Sequence, residues 1–286
     1  MTTSTASPVP VPSTKGSKGR LRIEGHQTFL RAVHAEWVKL RTLPSTWITA
    51  VIAVAITVLF GAGAAIGYGT SSEPELMRAA KHMIVAGSAF GQIVSAVLGA
   101  LIITGEYSSG QIRSSLAAVP SRGRLLAAKT LVASFLAFVV GALSALLSWA
   151  VSAPFIKDNA GSLADLEYLG YVWGTGLSFV TITLMALGLG FLMRSTAGSI
   201  TVVMVLMFVV IIPLAIMAEK WKWASNLPGL LPSKVAQAVA DPFSLSHTWG
   251  GDGMSFLTHT QAVLVCVAWA VVPLLISWVV FRRRDA

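Results

Sequence analysis

Long apolar runs, separated by short polar stretches, dominate this chain. A helix rises 1.5 Å per residue, so about 20 apolar residues cross a hydrocarbon core of about 30 Å. On that measure the pattern predicts membrane-spanning helices at residues 47–67, 83–104, 130–153, 170–193, 199–218 and 261–281. Each run is apolar on every side rather than alternating, and a barrel strand needs only about 9 to 11 residues, so strands are a poor alternative. The fold class expected is an all-α membrane protein with six transmembrane helices.

Polar stretches between the runs carry their own periodicity. Over residues 26–42, Phe29, Leu30, Val33, Trp37 and Leu40 recur at helical spacing, with Arg31, Glu36, Lys39 and Arg41 elsewhere on the wheel. This is an amphipathic helix leading to the first span through Pro44, either lying in the headgroups or also touching a partner. Between the second and third spans, residues 108–118 form a short helix with Ile112 and Leu116 on one face and Arg113 turned away. Pro120 stops it, and Arg122, Arg124 and Lys129 mark the return to the membrane. A loop of roughly 25 residues exceeds a connector, so its apolar stripe is expected to dock onto something or to lie on anionic lipid. Residues 219–260 are apolar but broken by Pro and Gly, as expected of short re-entrant helices capping a cavity, with a simple surface loop as the alternative. Residues 1–25, rich in Ser, Thr, Pro, Val and Gly, are expected to be a disordered tail, leaving 26–286 as the six-helix domain.

Composition reinforces the pattern. Charged residues make up 12% of the chain and hydrophobic ones 55%, with mean hydropathy +0.73; a soluble domain carries about 25% charge. The net charge of +9 admits nucleic acid, anionic lipid or membrane orientation as explanations. Six spans put both termini on one side, and the bases cluster there. Lys15, Lys18, Arg20, Arg22, Arg31, Lys39, Arg41, Arg113, Arg122, Arg124, Lys129, Arg194, Arg282, Arg283 and Arg284, offset by Glu24, Glu36, Glu106 and Asp285, give that side +11, against −2 opposite. The positive-inside rule therefore places both termini in the cytoplasm of a multi-pass cell-membrane protein, with no need of nucleic acid.

Candidate chemistry is sparse. No phosphate-binding G-x-x-x-x-G-K-[ST], H-E-x-x-H or G-x-S-x-G is present, and His26, His34, His82, His247 and His259 fall at no ligand spacing with carboxylates. Cys266 is alone within an apolar run, which excludes an intrachain disulfide. No catalytic set, metal or cofactor is expected in this chain. Charges are absent from mid-span; Glu106 and Glu219 sit at span ends, where solvation is the default. The pairs Gly63 and Gly67, Gly87 and Gly91, and Gly170 and Gly174 permit close helix approach. Ser88, Phe90, Gln92 and Ser95 on the second span and Met204 and Phe208 on the fifth are candidates for a substrate path, with interhelical hydrogen bonding as the alternative for Gln92.

At one pairing of segments the chain resembles a known family. Glu36-Trp-Val-Lys-Leu-Arg-Thr-Leu-Pro-Ser-Thr-Trp47, followed by Gly105-Glu106-Tyr107-Ser-Ser-Gly110-Gln111-Ile112-Arg113, Leu116, Pro120-Ser-Arg122 and Lys129, resembles permease subunits of ATP-binding-cassette transporters of the ABC-2 type. Gln111 stands where the family pattern has Thr. The resemblance runs from Glu36 to Arg284 and implies roles that the residues alone left open. It implies a connecting helix carrying Glu36, Trp37, Lys39 and Arg41. It implies a coupling helix over 108–118, with Glu106, Tyr107, Gly110, Gln111, Ile112, Arg113, Leu116, Pro120 and Arg122 contributing to its seat on a separate ATPase. ATP and magnesium would then be bound by that partner, and an exporter of an amphiphilic small molecule, peptide antibiotic or lipid would hold two permeases, identical or homologous, and two ATPases. The alternative function is a non-transporting sensory or assembly subunit of an ATPase complex.

Overall fold

Proline sets where several helices begin in the computed structural model, which describes residues 28–162, 166–241 and 258–283. Pro44, Pro74 and Pro232 each stand in the first turn, where the missing N–H costs nothing and the fixed φ suits a helix. The chain forms α1 (Phe29–Thr42), α2 (Pro44–Gly69), α3 (Pro74–Met83), α4 (Ser88–Ser108), α5 (Gln111–Ala118) and α6 (Arg122–Ile156). It continues with α7 (Leu166–Met193), α8 (Thr196–Met204), α9 (Ile211–Lys220), α10 (Pro232–Ala240) and α11 (His259–Arg283). The expected tail at 1–25, His247 and residues 242–257 of the long segment between the last two spans lie outside the described residues.

Six helical stretches among the described residues are long and apolar enough to cross a membrane. The second consists of α3 and α4 joined by a turn at residues 84–87, where the apolar pattern predicts one helix from 83 to 104. Hydropathy does not register this break, because Ile84, Val85, Ala86 and Gly87 are apolar whether helical or not. The third begins at Arg122, not near 130, so Arg122, Arg124 and Lys129 belong to a helix of 35 residues instead of a connecting loop. The fifth is α8 and α9 with a π-helical turn at Val205–Val209 between them.

The centre of the bundle is α7. In its span 72% of the most apolar window is buried, against 11% in the α8–α9 stretch at the periphery. Lipid offers no hydrophobic drive for helices to pack, so close van der Waals contact and polar contacts must hold them together. Small residues supply the contact: a side chain at Gly99 would overlap the Thr183 carbonyl, at Gly91 the Thr57 hydroxyl, and at Gly188 the Pro273 backbone. Gly63 and Gly67, in contrast, face open space within the chain. Polar contacts line the α4–α7 seam, with Ser95 Oγ 2.6 Å from Thr183 Oγ1 and Gln92 Nε2 donating to Ser178 Oγ at 3.2 Å.

Two short connections at the end of the bundle that carries α5 depend on left-handed backbone. Gly110 (φ +70°) turns the chain between α4 and α5, a conformation costing a residue with a Cβ about 1 kcal/mol or more. Arg194 (φ +53°) takes that conformation without being glycine in the turn from α7 to α8, where the Ser195 hydroxyl caps α8 by accepting from Gly198 N.

Candidate functional site

Burial of α1 runs along Ala32, Glu36 and Leu40, spaced four apart on one face. Placing Glu36 among the wheel's outer residues is therefore corrected: it is 4% exposed, while Leu30 is 76% exposed. The reason is tertiary, because Glu36 faces Lys129 of α6, whose side chain is 1% exposed. Lys129 Nζ donates to Glu36 Oε2 and to Glu106 Oε1, both at 2.7 Å. Lys39 Nζ donates to Glu36 Oε1 at 2.7 Å, Glu106 Oε1 at 3.0 Å and Ser115 Oγ at 2.9 Å. Ser115 Oγ in turn donates to Glu106 Oε2 at 3.3 Å.

Two carboxylates and two ammoniums thus form a neutral network joining α1, α4, α5 and α6. A solvated Glu106 is corrected accordingly: it is a buried acceptor from three donors. Burial pulls the Lys39 ammonium down, but the hydrogen bonds and charges of Glu36 and Glu106 outweigh it and raise its pKa. A raised lysine pKa makes the Lys39 pairing fully stabilising below the ordinary value of 10.5 and lost only above it, so Lys39 keeps its charge and its partners at neutral pH.

The loop helix is also shorter than expected. Glu106, Tyr107 and Ser108 close α4, and α5 starts only at Gln111. Its apolar stripe is used internally. Ile112 is 3% exposed, and Leu116 packs against the same core, which includes Leu125, Leu187 and Phe281. What α5 offers outward is Gln111, Arg113 and Ser114, beside exposed Pro120. Tyr107 lies under the Arg194 guanidinium, 5.0 Å from its ring centroid. Arg122 Nη1 donates to the Phe281 carbonyl at 2.6 Å, tying the start of α6 to the end of α11. On α1, Trp37 meets Phe135 edge-on, and Arg41 offers its carbonyl to the Trp47 indole at 2.9 Å.

At the other end of the bundle a cavity of about 380 Å³ opens between the second and fifth spans. Ser88, Gln92 and Phe208 line it, together with Met207 and Ile211. Other path candidates lie elsewhere. Phe90 is 45% exposed and stacked on Phe60, Ser95 is bonded to Thr183, and Met204 packs beside Ile182 and Met185. His82 and Asp241 also line it, with His82 Nδ1 2.6 Å from the hydroxyl of the buried Tyr171 and 3.8 Å from Asp241 Oδ2. Sequence pattern missed this group because His82, Tyr171 and Asp241 stand far apart in the chain.

No group of His, Cys, Asp and Glu able to hold a metal ion occurs among the described residues. The family model described as ABC-2 family transporter protein matches residues 32–210, from α1 to the middle of the fifth span, and so contains the entire charged network. A search of curated proteins gives no match.

Proposed function

The chain belongs to the ABC-2 family of transporter proteins, and from that premise we propose that it is the permease half of an exporter driven by ATP hydrolysed on a separate subunit. The observation that carries this reading is the Glu36–Lys39–Glu106–Lys129 network, which makes α5 continuous with three other helices. A push on the outer face of α5 passes through Ser115 and Glu106 into the second span, and through Lys129 into the third. Packed side chains and salt-bridge networks of this kind can carry energetic coupling between distant sites.

In this reading α5 is the coupling helix and α1 the connecting helix, both facing the cytoplasm with the two termini. ATP and magnesium belong to the partner ATPase, and two permeases with two ATPases form the complex. The cavity between the second and fifth spans supports an amphiphilic substrate, since apolar Met207, Phe208 and Ile211 stand beside polar Ser88 and Gln92. Helix α10, which lines the cavity through Ser233, Lys234 and Gln237, forms its external cap.

The test is transport by the complete complex reconstituted in vesicles, with a panel of fluorescent amphiphiles as probes. ATP should drive vectorial accumulation of at least one, and Arg113→Glu, on the outer face of α5, should lower it several-fold in a chain of unchanged stability. Accumulation that is undiminished in that variant would overturn the coupling assignment. ATP hydrolysis without accumulation of any probe would favour a sensory or assembly role.

A further inference from the structure

A groove between α6 and α11 has two chemically distinct halves that meet. One half, an open depression of about 500 Å³, is mainly apolar and lies along both spans, lined by Leu126, Ala127, Leu131, Val271 and Leu275, with Phe29 of α1 at its side. The other half, about 450 Å³, lies at the basic end of the bundle and is lined by Pro120, Ser121, Arg122, Gly123, Trp278 and Arg282. Gly123 and Trp278 line both, so the two spaces are continuous. Among the described residues, no carboxylate lines either half.

The polar half is organised. Arg122 donates to the Phe281 carbonyl at 2.6 Å and lies 5.5 Å from the centre of that residue's ring. Arg282 lies 4.9 Å from the centre of the Trp278 ring, held at the edge of the groove. Guanidinium groups match phosphate oxygens in geometry and charge, and tryptophan favours the membrane interface. An apolar slot at acyl-chain depth that opens into a cationic pocket at headgroup depth fits one class of molecule.

We propose that this groove binds an anionic phospholipid from the leaflet at the basic end of the bundle, its phosphate between Arg122 and Arg282 and one acyl chain along Leu126, Leu131 and Leu275. The site lies away from the cavity between the second and fifth spans, so the lipid is a resident ligand rather than cargo. It bridges the start of α6 and the end of α11, which Arg122 and the packing of Leu125 on Phe281 also join.

Native mass spectrometry of the full chain, purified in mild detergent with equal phosphatidylglycerol and phosphatidylcholine, tests the proposal. Phosphatidylglycerol should be retained in preference, as a single adduct. Arg282→Gln should lower its retention roughly fivefold, the contribution of one basic residue near an anionic surface. Ala127→Trp, which fills the apolar half and leaves every charge in place, should lower it as well. Millimolar inorganic phosphate should not displace the lipid. Equal retention of the two lipids, retention unchanged in both variants, or displacement by phosphate alone would each overturn the assignment.

Discussion

Lys129 donates to both Glu36 and Glu106 from a position 1% exposed, so its removal leaves two buried carboxylates sharing the single charge of Lys39, with the Ser115 hydroxyl still donating to Glu106. Breaking a buried ion network from one side costs about 3–5 kcal/mol. Lys129→Met should therefore sharply lower the thermal midpoint of the purified chain. Adding Glu36→Gln should recover part of the loss, with a coupling of about 0.5–3 kcal/mol between the two changes. Additive losses in fluorescence-detected unfolding would show that the pair does not act as a unit. Glycines give a second test at this scale. Gly99→Val must push α4 off the Thr183 carbonyl and should prevent stable folding, whereas Gly63→Ala meets open space and should be tolerated within about 1 kcal/mol. Detergent-solubilised yield and melting temperature report both. Glu36 and Glu106 could be read from the sequence as charged positions near the membrane, but their burial could not. Burial depends on Lys129 approaching from 93 and 23 residues away respectively.

Helix α5 has two faces with different duties. Ile112 is buried against Leu125 and Phe281 in the chain's own core, so Ile112→Ala should destabilise the chain itself by about 2–5 kcal/mol. Arg113 is exposed on the opposite face, and Arg113→Glu should leave the melting temperature unchanged. It should weaken association with the ATPase by more than about 1 kcal/mol, roughly fivefold, in a pull-down titration. If instead Arg113→Glu lowered stability and Ile112→Ala weakened only association, the two faces would be reversed. The pairing of Ile112 with Leu116 was legible from their spacing, as was the stop at Pro120. The stripe's partner was not, since an apolar stripe has the same sequence whether it meets another protein or its own bundle.

Across the whole molecule, α7 is enclosed while the α8–α9 stretch and α11 keep most of their apolar surface outward. Such surface suits lipid or another permease, and the proposed assembly requires both. Native mass measurement of the complex should give two permease chains and two ATPases; a single permease per ATPase pair would refute that stoichiometry. The sequence by itself determined the all-α class and the six spans. These follow from run length and from the cost of leaving backbone or charge in hydrocarbon, both local properties of the chain. Only the tertiary structure decided that the second span breaks at residues 84–87, that Lys129 lies within a helix and inside a neutral network, and that α5 turns its apolar face inward. Each outcome depends on which groups meet across long stretches of chain. A buried charge is tolerable only where its counter-charge arrives, and hydropathy along a single segment carries no record of that meeting.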